Sequence, residues 1–200
     1  PLNFSNISWE AVNSALGDGA GNIVFPKSNY YYKYVNRSAG TRVYYSAAVL
    51  FSYDEVYLNR LEAYLMSGNL DQFRRDLFTY LIPKTHNSSR PNEAYPFPRL
   101  TFERYMTQAA LDRRYQGRGV DFDPSYPLTT RQREWLQAVV DIRRVEFVQE
   151  GLRWFDNKRL GMKVVHKVGD GQIELTKEDP RRELQIPNSA LEFGMAPNPR

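Results

Sequence analysis

The segment that most limits what this chain can fold into is the run from residue 129 to residue 150, TTRQREWLQAVVDIRRVEFVQE. Thr129 followed three positions later by Gln132 is a capping box, in which each side chain meets an unpaired amide of the first helical turn. At about 100° per residue, Trp135, Val139 and Ile142 form one apolar stripe, which predicts a long amphipathic helix packed on a core. The same arc also holds Arg143, Glu146, Glu150 and, beyond Gly151, Arg153. Charges on a buried stripe need partners, because stranding one costs about 3–5 kcal/mol. Three-residue spacing sets Arg143 beside Glu146 and Glu150 beside Arg153, so the run predicts a four-member ion-pair ladder within its own helix. Glu150→Ala should then destabilise the protein by several kcal/mol, on the order of that stranding cost. Gly151 is expected to bend or interrupt the helix near its end.

Other segments are helical too. In FSYDEVYLNRLEAYLMSGNLDQFRRDLFTYLIPK, Ser52 and Glu55 have capping-box spacing, and Val56, Leu58, Leu61 and Leu65 recur at helical intervals. Gly68-Asn69 ends that helix, and a second is predicted from Leu70 to Leu81, before Pro83. Such an antiparallel pair resembles one tetratricopeptide unit, which cannot bury both its faces alone and calls for flanking helical layers. A third helix is expected over residues 102–115, burying Phe102, Tyr105, Met106 and Ala109 and stopping at Gly-Arg-Gly. A weak helical patch spans residues 9–16. The tyrosine-rich NYYYKYV and TRVYYSAAVLF predict two extended segments, and KVVHKVGDGQIEL predicts a hairpin turning at Gly-Asp-Gly. Residues 83–100 hold four prolines and are expected to form no regular element. Residues 120–127, VDFDPSYP, read as an irregular aromatic loop, and the tail after residue 178 as extended and turn-rich. The expected fold is mainly α, with helical repeats, long irregular loops and a small β-hairpin.

Composition narrows the chemistry. The 200-residue chain has no cysteine, which excludes disulfides, cysteine zinc sites and thiol nucleophiles. Its formal charge of +4 is spread among acids, with no Lys/Arg run longer than two, so a nucleic-acid surface is not expected. No stretch approaches the roughly 20 apolar residues of a membrane span. His86 and His166 lie outside ligand spacing of other candidates, and the Glu-x-x-His motif of bundle metal sites is absent, so neither metal nor cofactor is expected. Asp121 and Asp123 alone are a weak calcium signal. GDGAGN (17–22) lacks the strand and helix that a phosphate loop needs, and reads as a surface turn. There is no nucleophile elbow and no triad.

Two constellations remain. Glu146 and Glu150, four apart, could form an acid/base pair in a cleft, which is the basis of a helical glycosidase reading. Retaining chemistry would put those carboxyls about 5–5.5 Å apart. The ion-pair ladder explains the same residues without catalysis. Aromatics make up 14% of the chain, with 14 Tyr and 11 Phe. Tyr30, Tyr31, Tyr32, Tyr34, Tyr44 and Tyr45 sit in the extended segments, and Tyr95, Phe97, Phe122 and Tyr126 in loops. Exposed rings stack on sugars, whereas amphipathic tyrosines also cover apolar surface under loops. Tyr95, Phe97 and Tyr126 are the candidate ligand contacts, and three or four coplanar exposed rings would favour a glycan over a protein partner.

RRVEFVQEGLRWFDNKRLG (143–161) resembles the C-terminal signature of SusD/RagB-like proteins, in which an Arg-rich helix runs into Glu-Gly-x-Arg-Trp-Phe-Asp and a Lys-Arg. The tail, DPRRELQIPNSALEFGMAPNPR, is similar to that family's Leu-x-Ile-Pro and Asn-Pro ending. The helix pair at 53–81 sits where the family carries its last tetratricopeptide-like unit. The resemblance covers residues 41–200 and leaves 1–40 unassigned. It implies the C-terminal portion of a single SusD-like domain, with tetratricopeptide-like repeats supporting irregular loops. It also implies surface lipoproteins of Bacteroidota that bind a glycan or other nutrient without catalysis, at a SusC-like TonB-dependent outer-membrane transporter. The lipid-bearing cysteine of that family does not occur here, so the chain is expected to be part of a longer protein whose membrane contact is a lipid anchor. Arg143, Glu146, Glu150, Arg153, Trp154, Asp156 and Arg159 match the signature and are expected to maintain the fold. A tetratricopeptide-type protein scaffold without glycan binding is the alternative.

Overall fold

A computed structural model describes residues 7–9, 16–17, 23–24, 30–46, 50–87, 102–148 and 150–199. Two helices come first in the core. Helix α1 (Tyr53–Met66) is capped by Ser52, whose hydroxyl accepts from the Glu55 amide at 3.1 Å. Helix α2 (Leu70–Leu81) is capped by Asn69. Gly68 between them has φ +75°, the left-handed conformation that glycine adopts without a Cβ penalty. Leu58, Leu61 and Leu65 of α1 are fully buried, as their spacing predicts, but Val56 is 61% exposed. Tyr57 takes its place on the buried face, one position round the helix.

Helix α5 (Thr130–Glu146) is the centre of the fold. Its capping box forms as expected, with Thr129 accepting from the Gln132 amide and the Gln132 side chain accepting from the Thr129 amide. Trp135, Val139 and Ile142 are buried, and Trp135 stacks on Phe73 of α2 with ring centroids 5.6 Å apart. The Gln132 amide donates to the carbonyls of Leu65 and Met66, tying the start of α5 to the end of α1. Helix α1 packs against α2 and α5, so a third helical layer covers the helix pair. The expected third helix is broken. Phe102–Tyr105 forms α3 and Gln108–Tyr115 forms α4, with Thr107 between them accepting from the Ala110 amide as a fresh cap. Met106, Leu111 and Tyr115 are buried there, whereas Ala109 is exposed.

The end of α5 departs from the expected course. The helix stops at Glu146, not near residue 150, and Phe147 is its C-cap. Gly151, at φ +79°, is the N-cap of a separate helix, α6 (Leu152–Arg159). An interruption thus occurs at Gly151, and it redirects the chain. The hairpin of β7 (Val164–Val168) and β8 (Gly171–Leu175) turns through Gly169-Asp170, as expected for a two-residue loop with Gly169 at positive φ. The tail carries only a 3-10 turn (Pro180–Arg182) and the short α7 (Asn188–Leu191).

The structure contains more strand than one hairpin. The described residues form four two-stranded sheets. β4 (Tyr30–Asn36) and β5 (Thr41–Ser46) pair across the expected extended segments, with a bulge between Tyr34 and Asn36. β2 (Leu16–Gly17) pairs with β3 (Ile23–Val24), and of the glycine-rich stretch 17–22 only Gly17 is among the described residues. β1 (Ile7–Trp9) pairs with β6 (Thr85–Asn87). These pairings correct two expectations, since Trp9 and Leu16, the ends of the expected helical patch, are in strands, and the proline-rich 83–100 segment leaves a 3-10 turn (Ile82–Lys84) to form a strand at Thr85–Asn87. Strands paired from so far apart in the chain leave no local sequence pattern. The fold is mainly α, with seven α-helices among the described residues.

Candidate functional site

Two connected groups of charged side chains lie in the core, beside the separate Arg60–Asp76 pair. In the first, the Lys84 ammonium, just after α2, lies 2.7 Å from Glu146 of α5 and 3.0 Å from Asp54 of α1. The Tyr80 hydroxyl donates to the same Asp54 carboxylate at 3.0 Å. Burial, and then the Glu146 and Asp54 carboxylates beside it, push the Tyr80 hydroxyl far above its ordinary range. In the second group, Arg143 donates through Nε to both oxygens of Asp156 at 2.9 Å and through Nη1 to Asn59 at 2.9 Å. Arg159 reaches Asp156 at 3.0 Å and also pairs with Glu62. Burial works against the Arg159 charge, but Glu62 and Asp156 more than offset it and raise its pKa. Among the described residues each buried carboxylate, Asp76, Glu146 and Asp156, meets a cation within 3.0 Å.

This arrangement replaces the predicted ladder. Arg143 and Glu146 are buried on α5 as expected, but their partners are Asp156 and Lys84. Glu150 lies past the helix end and is exposed. Arg153 is half-buried, with its Nη1 making no hydrogen bond among the described residues. Once the helix ends at Glu146, the four-residue relation between Glu146 and Glu150 disappears, and with it the one-helix carboxylate pair of the glycosidase reading. Trp154 of the signature is 37% exposed on α6. Sequence reasoning missed Asp54, Asn59, Glu62 and Lys84. Each is an ordinary polar residue in its own segment, and only the packing of α1 and α2 on α5 and α6 brings it to the network.

The loop at residues 120–127 lies beside the second group and is held from three sides. Phe122 is buried, its carbonyl accepts from Arg133, and the Asp123 amide donates to the Leu160 carbonyl at 2.8 Å. Gly161, at φ +59°, lets the loop approach: a Cβ there would lie 2.1 Å from the Asp123 carbonyl oxygen. Lys177 faces Asp123 at 3.4 Å. Tyr126 emerges from this clamped loop 39% exposed. Partial burial and the Glu62 carboxylate raise its pKa while Arg159 opposes them, which places its hydroxyl in the field of that ion pair. Of the candidate ligand contacts, Tyr126 is therefore a half-open ring on a hydrogen-bonded loop beside charged groups. Tyr95 and Phe97 lie outside the described residues.

The β4–β5 hairpin carries a group of exposed rings. Tyr32, Tyr44 and Tyr45 are 48%, 58% and 54% exposed. They do not form a flat platform. Tyr32 and Tyr34 meet edge to face at 89°, and Tyr32 and Tyr44 are tilted by 56°. The Arg42 guanidinium lies over both Tyr32 and Tyr34, 4.6 and 4.7 Å from the ring centroids. These tilts depart from the coplanar arrangement expected to favour a glycan, and Arg42 already covers a face of Tyr32 and of Tyr34. The side chains of Tyr30 and Tyr31 lie outside the described set.

Among the described residues, no cluster of three or more His, Cys, Asp or Glu is placed to hold a metal ion. None of the described helices is long and apolar enough to cross a membrane. Together these features define a mainly α protein built on a helix pair and a central helix, joined by buried ion pairs. In comparisons with known proteins the chain matches no protein-family profile, no curated protein and no solved structure.

Proposed function

We propose that this chain is the C-terminal part of a SusD/RagB-like protein that captures a glycan or other nutrient at the cell surface without chemical turnover. It passes the nutrient to a SusC-like TonB-dependent transporter in the outer membrane, where the full-length protein is held by a lipid anchor. The observation that carries this reading is the Glu-Gly-x-Arg-Trp-Phe-Asp signature, together with the way its charges are used. Arg143, Glu146, Asp156 and Arg159 are all engaged in pairs that join α5 to α6 and to the turn after α2, and α6 to α1. That use leaves ligand contact to the loops, with Tyr126 as the ring so positioned. The tetratricopeptide-like character of the α1–α2 pair is part of the same proposal.

A glycan array and calorimetric screen on the full-length protein tests it, followed by co-purification with the transporter. Saccharide binding without hydrolysis is the expected result. Release of reducing ends would return the protein to the glycosidase reading, and absence of any saccharide binding would replace glycan by another nutrient. One observation favours a second reading, a protein-binding scaffold: the exposed tyrosines of the β4–β5 hairpin are not coplanar. Peptide or protein capture with no saccharide binding would establish that alternative.

A further inference from the structure

On the side of α5 away from the ion-pair network lies an open pocket of about 510 Å³, between the end of α4, the Gly117–Gly119 turn and α5. Its walls include Arg114, Arg118 and Arg144, with Asp121, Asp141 and Gln137 among them. Arg118 and Arg144 make no side-chain hydrogen bond or ion pair among the described residues, unlike Arg143 next along the helix. Asp141 accepts from Gln137 at 2.9 Å, which fixes its carboxylate and leaves the Gln137 carbonyl as a further acceptor. Arg153, whose field reaches Arg144 and Asp141, has a buried Nη1 without a hydrogen bond among the described residues; burial lowers its affinity for a proton, and Asp156 only partly offsets that. Arg118 and Arg144 thus bring to this wall two guanidinium groups that no described residue pairs.

Such a lining selects for two features in one ligand. Guanidinium groups converge on a carboxylate or sulfate through paired, charge-assisted hydrogen bonds. Carboxylates and an amide oxygen between them repel a bare polyanion but accept from hydroxyl groups. A monosaccharide ring with one acidic group supplies both, and its size suits the pocket. We infer that the α4–α5 pocket is a binding subsite for an acidic sugar unit, a uronate or a sulfated hexose, with Arg118 and Arg144 taking the anion and Asp121, Asp141 and Gln137 taking ring hydroxyls. This deepens the glycan reading, on which it rests, by naming the class of saccharide.

Calorimetry on the chain with a glucuronate-containing disaccharide, the matching neutral disaccharide and inorganic sulfate tests the inference. The acidic disaccharide should bind in low salt and weaken as salt rises, with the neutral disaccharide at least about tenfold weaker. Arg118→Gln and Arg144→Gln should each reduce affinity about tenfold, while Arg37→Gln, on the β4–β5 turn and outside the pocket lining, should leave it unchanged. Both pocket arginines are exposed, so unchanged melting temperatures will show that the variants fold. Sulfate binding as tightly as the acidic disaccharide would overturn the inference, since the sugar ring would then contribute nothing. So would equal binding of the acidic and neutral disaccharides, or no binding of either. A chain that binds neutral glycans but no acidic ones refutes this subsite and leaves the glycan reading intact, whereas a full-length protein that binds no saccharide at all refutes that reading.

Discussion

Arg143 and Arg144 are adjacent residues of one helix with opposite surroundings. Arg143 is 5% exposed and shares Asp156 with Arg159, while Arg144 is exposed at a pocket and makes no ion pair among the described residues. A rotation of about 100° separates them, and it carries one into the core layer and the other to solvent. The difference shows that an arginine's role here follows from its position on the helix circumference and not from its motif. On the inner face, charge is a structural liability that has been paired. On the outer face the same charge is available to a ligand.

Breaking the inner face should have the largest effect. Asp156→Ala strands a buried guanidinium at Arg143 and weakens the hold on Arg159, and should cost about 3–5 kcal/mol in urea unfolding. A loss below about 1 kcal/mol would mean that the Arg143 network contributes little. Next comes Gly161→Ala, where a Cβ would meet the Asp123 carbonyl in a left-handed backbone conformation. A loss of about 2–3 kcal/mol is expected, with faster hydrogen exchange at the Asp123 amide as the loop carrying Tyr126 comes loose.

Alkali sharpens the comparison in another way. Tyr80 on the inner side and Tyr115 beside the pocket are both buried, and burial raises both pKa values above the ordinary 10.0. A neutral group whose folded pKa is raised contributes stability that is fully present below the unfolded pKa. That stability is lost as pH rises through about 10 towards the folded value, because only the unfolded chain then releases the proton. Stability should therefore fall from about pH 10 upward, and ultraviolet titration of the folded protein should leave these two tyrosines unionised after the exposed ones have titrated. The smallest effect is expected at Glu150. It is exposed beyond the end of α5, so Glu150→Ala should change stability by no more than about 0.5 kcal/mol. A loss of several kcal/mol there would restore the ladder.

Much of the scaffold is legible in the chain. The periodicity of Leu58, Leu61 and Leu65, the caps at Ser52 and Thr129, and the Gly169-Asp170 turn each specify a local geometry, and each element forms where those signals put it. The break at Thr107 was legible in principle, because a threonine cap interrupts the third helical run, but the apolar spacing on either side concealed it. The end of α5 was concealed for a related reason. Residues 147–150 continue the helical charge pattern, and nothing in that pattern says that Gly151 will take φ +79° and start a new axis. The exposed Tyr126 could be named from its loop; the ion pair beside it could not.

What the sequence determined by itself is therefore the set of elements and the necessity of pairing the charges on the α5 stripe, since both follow from interactions within a few residues. Tertiary structure alone decided the partners. Lys84 and Glu146 are 62 residues apart, Asn59 and Arg143 are 84 apart, and Glu62 and Arg159 are 97 apart. Any of the chain's many acids and bases could satisfy a buried charge equally well in a local reading. Only helix packing, driven by apolar burial that is indifferent to the identity of the ions, selects which of them meet.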